Sequence, residues 1–136
     1  MEGMIQQISS PEAMHQYGKE LAGWYPVIFL SGDLGVGKTT FAKGFAEWLG
    51  IDPAKVQSPT YTYLNIYDNK LLHVDMYRLE QFDEMIEKGI LDQLSNFSYI
   101  LIERPKWEKE LGLSGAVKLE IKKLNENERT VELITL

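Results

Sequence analysis

An eight-residue run, Gly32-Asp33-Leu34-Gly35-Val36-Gly37-Lys38-Thr39, stands between two stretches of different period. Before it, Val27-Ile28-Phe29-Leu30 is continuously apolar, as in a strand covered on both faces of a parallel sheet. After it, Phe41, Phe45, Trp48 and Leu49 form one stripe of an amphipathic helix, and Gly50 stands where that helix should stop. The run fits G-x-x-x-x-G-K-[ST] at each fixed position. Its glycines let the backbone turn tightly, so that N–H groups converge on phosphate oxygens. A helix starting near Gly37 adds its N-terminal dipole. Lys38 offers a compact cation to the β- and γ-phosphates of a nucleoside triphosphate, and Thr39 offers a hydroxyl to Mg²⁺, a hard ion that takes oxygen ligands. The expected nucleotide-binding residues are therefore Asp33, Leu34, Gly35, Val36, Gly37, Lys38, Thr39 and Thr40.

The rest of the pattern predicts an α/β protein with a mixed sheet, parallel at its centre. Ser10-Pro11-Glu12 reads as a helix start, with Met14, Tyr17 and Leu21 carrying a stripe to about Ala22. Tyr61 to Tyr67 and Leu71 to Asp75 read as a hairpin about Asp68-Asn69, with Tyr61, Tyr63 and Tyr67 alternating at strand period. Glu80 to Leu94 has helical spacing, and Ser98 to Ile102 is a second strand of buried type. Pro105 to Gly112 is loop with a helical turn, and a last hairpin joins Val117–Ile121 to Thr130–Leu136. Trp24 and Trp48 are expected to pack.

At 136 residues, 44% of them hydrophobic, the chain suits one domain with a real core. The longest apolar runs, Val27–Leu30 and Tyr99–Ile102, are too short to span a bilayer, and the N-terminus lacks a signal-peptide pattern, so a cytoplasmic address is expected with no membrane partner. Without cysteine there is no thiolate chemistry. A net charge of −6, with Arg78, Arg104 and Arg129 as its arginines, argues against direct binding of a nucleic-acid backbone.

Hydrolysis needs more than a phosphate loop: a second oxygen near Mg²⁺ and a group that places the attacking water. Glu103 ends the strand Tyr99–Ile102, at the edge where open α/β sheets bind ligands, although a carboxylate there could simply mark the strand's exit. Asp75 ends Leu71–Val74 and could hold a metal-bound water, or else pair with Arg78 or cap the next segment. Thr60, in Ser58-Pro59-Thr60, lies where a switch segment would offer a hydroxyl to Mg²⁺ and the γ-phosphate, or is ordinary turn chemistry. His73 reads first as a satisfied strand histidine.

Four pieces then line up: the loop through Thr40, Ser58-Pro59-Thr60-Tyr61, His73-Val74-Asp75-Met76-Tyr77-Arg78-Leu79, and Glu103-x-Pro105. In this order and spacing the chain resembles the TsaE family of small bacterial P-loop ATPases required for threonylcarbamoyladenosine modification of tRNA. The resemblance runs from the first helix to the last hairpin. It implies a P-loop NTPase-like three-layer sandwich in a single ATP-binding domain, residues 1–136. It also implies ATP and Mg²⁺ as cofactors, Lys38 as the phosphate contact and Thr39 as a metal contact. Thr60, Asp75 and Glu103 complete the site, Glu103 as a metal ligand directly or through water. The implied partners are the TsaD–TsaB pair, with tRNA held indirectly through that complex, and ATP hydrolysis that is weak without them. One departure stands out. The family usually reads Glu-Trp-Pro, whereas this chain has Glu103-Arg104-Pro105. Arg104 could stack its guanidinium or pair with a phosphate, and Trp107 could take the tryptophan's place.

Other functions compete. A nucleoside or small-molecule kinase would need an acceptor pocket and an arginine-bearing lid, and no insert of lid length is present. A regulatory GTPase would carry an Asn-Lys-x-Asp run, which Asn125-Glu126-Asn127-Glu128 does not supply. A nucleotide sensor without turnover is the remaining alternative.

Overall fold

The computed structural model describes residues 5–33 and 35–136. Seven strands form one sheet: β1 (Ile5–Ile8), β2 (Val27–Ser31), β3 (Leu64–Tyr67), β4 (Leu71–Asp75), β5 (Tyr99–Glu103), β6 (Val117–Lys123) and β7 (Arg129–Thr135), in the order β1-β7-β6-β2-β5-β4-β3. The central strands β6, β2, β5 and β4 run parallel, while β1, β7 and β3 pair antiparallel at the flanks. The expected mixed sheet with a parallel centre is thus present.

The continuous apolar run of β2 is explained by cover on both faces. Ile28 and Leu30 join a core with Met14, Tyr17 and Leu21 of α1 (Pro11–Ala22) and Phe41 and Phe45 of α2 (Lys38–Trp48). Val27 and Phe29 point the other way, into a second core with Met85 of α3 (Asp83–Glu87) and Ile90 and Leu94 of α4 (Ile90–Leu94). Helices on both faces make the three-layer sandwich.

The first helix begins as its sequence dictates. Ser10 accepts from the Ala13 N–H, Pro11 occupies the first turn, and the helix ends at Ala22. Its contact with α2 depends on two glycines. A Cβ at Gly44 would lie 1.8 Å from the His15 carbonyl oxygen, and one at Gly18 would lie 2.2 Å from that of Phe41. The two backbones approach closer than any side chain allows.

Several expectations change. Tyr61 to Tyr63 is a turn, not strand: Tyr63 has φ 67°, Tyr61 is exposed, and of the three tyrosines only Tyr67 is buried. The Asp68-Asn69 turn is as expected, both residues being left-handed and Lys70 N–H bonding the Tyr67 carbonyl at 2.9 Å. The helical segment after Glu80 is two short helices, because left-handed Gly89 breaks it. Ile5–Ile8 adds an edge strand that its short, half-polar pattern did not announce. Trp24 and Trp48 do not enter the core: they are 70% and 47% exposed, Trp48 lying beside the Tyr99 ring. Among the described residues no helix is long and apolar enough to cross a membrane.

Candidate functional site

The site forms at the carboxyl ends of β2, β4 and β5, where parallel strands release their chains toward one edge. From β2 the chain enters the glycine-rich loop. Gly37 caps α2 with φ 114°, a conformation open to glycine and costly for other residues, and this aims the first N–H groups of α2 into the loop. The Phe41 N–H returns to the Gly37 carbonyl at 2.9 Å. Lys38, only 6% exposed, folds back and donates to the carbonyl of Gly32. Burial pushes its ammonium below the ordinary lysine range, opposed chiefly by the nearby Glu103 carboxylate.

A hollow of about 270 Å³ lies over this loop, lined by Gly37, Lys38, Thr39, Thr40, Glu103 and Arg104, with Gly35 and Ser58 at its margin. Residues from the loop, from the end of β5 and from the segment after α2 therefore share one space. Glu103 is 2% exposed, and its carboxylate is hydrogen-bonded to His73 Nε2 on β4. His73 Nδ1 lies 3.2 Å from the Tyr67 hydroxyl, which donates to the Gln57 carbonyl at 2.9 Å. His73 is thus a satisfied strand histidine, and one that also seats a site carboxylate.

Asp75, with 1% of its surface exposed, is the second carboxylate at this edge. It does not pair with Arg78. Arg104 Nε donates to Asp75 Oδ1 at 3.2 Å and Nη2 donates to Oδ2. Thr60 Oγ1 donates to Asp75 Oδ2 at 3.1 Å, and Tyr77 N–H to Oδ1 at 2.9 Å. Arg78 instead donates to the Tyr61 carbonyl and lies over the Tyr63 ring, fastening the turn that carries Thr60. Thr60, Asp75 and Glu103 are thus brought to one edge.

Asp33 faces the adjoining cleft, whose volume is about 1340 Å³ and which Lys118, Lys122 and Lys123 also line. Val36 turns its side chain into the core, so that only its backbone belongs to the loop surface. Leu34 lies outside the described residues. Trp107 does not approach the nucleotide loop; it packs edge-on against Phe82. Arg129, which no sequence pattern placed at the loop, donates to the carbonyls of Val36 at 3.1 Å and Gly35 at 3.3 Å and ties the loop to the last hairpin. A lone arginine on a hairpin carries no sequence signal for such a contact. Beside it a second hollow of about 490 Å³, bounded by Ser9, Met14, Thr40 and Asn127, adjoins the loop.

The donors suit Mg²⁺. Thr39 and Glu103 are hard oxygen donors on one small space, and this ion keeps waters and phosphate oxygens in most of its shell rather than a full protein cage. Among the described residues no three His, Asp or Glu side chains form a metal cage.

A glycine-rich loop between a central parallel strand and a helix, facing buried carboxylates on neighbouring strands, defines a P-loop nucleotide-binding protein. Residues 8–131 match the family model described as threonylcarbamoyl adenosine biosynthesis protein TsaE. The Aquifex aeolicus (strain VF5) protein named tRNA threonylcarbamoyladenosine biosynthesis protein TsaE is 37% identical over 135 residues, 93% of this chain and 92% of that one. The Bacillus subtilis (strain 168) protein of the same name is 38% identical over 108 residues, 77% of this chain and 66% of that one. The crystal structure of Bacillus subtilis YdiB superimposes with a TM-score of 0.68 at 28% identity, covering 98% of this chain and 86% of that one. The chain belongs to the TsaE family.

Proposed function

We propose that this protein is a Mg²⁺-dependent ATPase that acts in threonylcarbamoyladenosine modification of tRNA, in the cytoplasm, together with a TsaD–TsaB pair. The observation that carries the ATPase reading is the shared hollow: Lys38 and Thr39 from the loop face Glu103 and Arg104 from the end of β5. The family and the names of the relatives support the pathway.

In this reading Lys38 exchanges the Gly32 carbonyl for the β- and γ-phosphates, and the N–H groups at the start of α2 receive phosphate oxygens. Thr39 and Glu103 would hold Mg²⁺, which would neutralise charge on the β- and γ-phosphates. His73 fixes the rotamer of Glu103. Thr60 and Asp75 orient the attacking water, the Asp75 carboxylate being fixed by the Tyr77 N–H. The hollow bounded by Thr40, Met14 and Asn127, which adjoins the loop at Gly35 and Gly37, would take the base.

The described residues include no lid over the loop, and the adjoining cleft is open. P-loop enzymes with open sites often receive a closing surface or a charge from a partner, with effects of roughly 10³–10⁵ in rate. Turnover is therefore slow in isolation and rises with TsaD–TsaB. A turnover assay titrated with that pair, run beside tRNA binding by this chain alone, tests the reading. Full activity in isolation, or tight salt-sensitive tRNA binding without partners, would overturn the subunit role. Phosphoryl transfer to a nucleoside would replace it with the kinase alternative.

A further inference from the structure

We propose that Arg104 is a triphosphate sensor, its guanidinium exchanging between Asp75 and Thr60 in the nucleotide-free protein and the γ-phosphate of a bound nucleoside triphosphate. The inference rests on the proposed nucleotide site and adds a residue that distinguishes triphosphate from diphosphate.

Three observations support it. The first is position: Arg104 lines the hollow shared by Lys38, Thr39 and Glu103, and also the open cleft beside it. The second is how the residue is held. Its N–H donates to the Leu30 carbonyl at 3.0 Å, and its backbone is left-handed, φ 49°, a region that few residues other than glycine adopt. The backbone is therefore fixed at the junction of β2 and β5 while the side chain, 22% exposed, keeps room to turn. The third is its set of partners. The guanidinium pairs with Asp75 through Nε and Nη2, donates to Thr60 Oγ1 at 2.9 Å, and lies 4.3 Å from the ring centroid of Tyr77.

Charge balance makes the exchange possible. The Asp75 side chain is closed to solvent, and a buried carboxylate keeps a cation beside it. Among the described residues that cation is Arg104. When Arg104 turns to a γ-phosphate it trades one anion for another, and Asp75 keeps its bonds from the Thr60 hydroxyl and the Tyr77 N–H. A diphosphate offers no γ-oxygens, so Arg104 stays on Asp75. The planar fork suits both positions, since carboxylate and phosphate each accept two parallel N–H bonds. Departure of Arg104 also removes one of three bonds at Thr60 Oγ1 and leaves those to Asp75 and Ser58.

The test uses the full chain, Mg·ADP and the Mg²⁺ complex of a non-hydrolysable ATP analogue. Titration calorimetry gives both affinities for wild type, Arg104→Ala and Arg104→Lys. In Arg104→Ala the analogue should bind roughly tenfold more weakly, the effect of losing one charge-assisted pair, with ADP affinity little changed. Arg104→Lys, which keeps the charge on Asp75 but lacks the fork, should lose part of that ratio and serves if the alanine variant does not fold. In the wild type, ¹⁵N spectra of the arginine Nε–H groups should show the Arg104 signal, assigned by its loss in Arg104→Lys, moving with the analogue and staying put with ADP. Binding of both nucleotides by the wild type, with an unchanged affinity ratio in the variants or an Nε signal that ignores the analogue, overturns the sensor and leaves the nucleotide site standing. Failure of the wild type to bind either nucleotide overturns the site itself.

Discussion

His73 and Glu103, on adjacent parallel strands, are joined by a hydrogen bond between imidazole Nε2 and carboxylate, and neither is open to solvent. The bond continues through Tyr67 to the carbonyl of Gln57, just before Ser58-Pro59-Thr60. A partner of this kind, outside the metal's own ligands, typically accounts for 10–100-fold in metal affinity or activity. His73→Ala should therefore raise the Mg²⁺ concentration needed for half-maximal nucleotide binding by about tenfold or more. Mg²⁺ titrations of wild type and variant measure this. An unchanged midpoint in a folded variant would leave His73 as core filling only.

Replacing Gly44 by alanine should destabilise the fold, against the usual trend. In an open helix the change gains about 1 kcal/mol. Here the new methyl would meet the His15 carbonyl at 1.8 Å, backbone that cannot yield without separating α1 from α2. A loss of about 1–3 kcal/mol or more is expected by overpacking. Urea denaturation gives the sign directly, and a gain in stability would show that the helices can move apart freely.

Much of the site was legible because its chemistry is written at fixed spacing. The loop needs glycine at set positions, and the buried-strand pattern before Glu103 places that carboxylate at the ligand edge. The helix of Met14 and Tyr17 was legible from Ser10 and Pro11, a local signal. Contacts between elements distant in sequence were less accessible. Arg104 reaches Asp75 because β4 and β5 are neighbours in register, and no single-chain pattern encodes that pairing. The tyrosines at positions 61 and 63 alternate like a strand, yet Arg78 draws that segment into a turn. Trp24 follows α1 and Trp48 is the last residue of α2, and both stay largely exposed.

Glu84 makes a pH-dependent contribution to stability. Its carboxylate accepts from the N–H groups of Glu80 at 2.8 Å and Gln81 at 2.9 Å, and these bonds, Gln81 first, hold its carboxyl below the ordinary range. A depressed folded-state value stabilises the fold fully above the unfolded value and loses that effect as pH falls through the folded one. Wild type should therefore exceed Glu84→Gln in stability at neutral pH, and the gap should close in acid. Denaturant midpoints across that range check it; a gap independent of pH would mean the carboxylate charge contributes nothing.

Binding of Mg·ATP at the loop around Lys38 is read by thermal denaturation with and without Mg·ATP. At a ligand concentration one hundred times Kd the wild type should gain about 2.7 kcal/mol, read as a rise in Tm. Lys38→Ala, which removes the ammonium that now bonds the Gly32 carbonyl, should lose most of that gain. A wild type whose melting ignores Mg·ATP, or a Lys38→Ala variant stabilised as much as the wild type, would contradict the account.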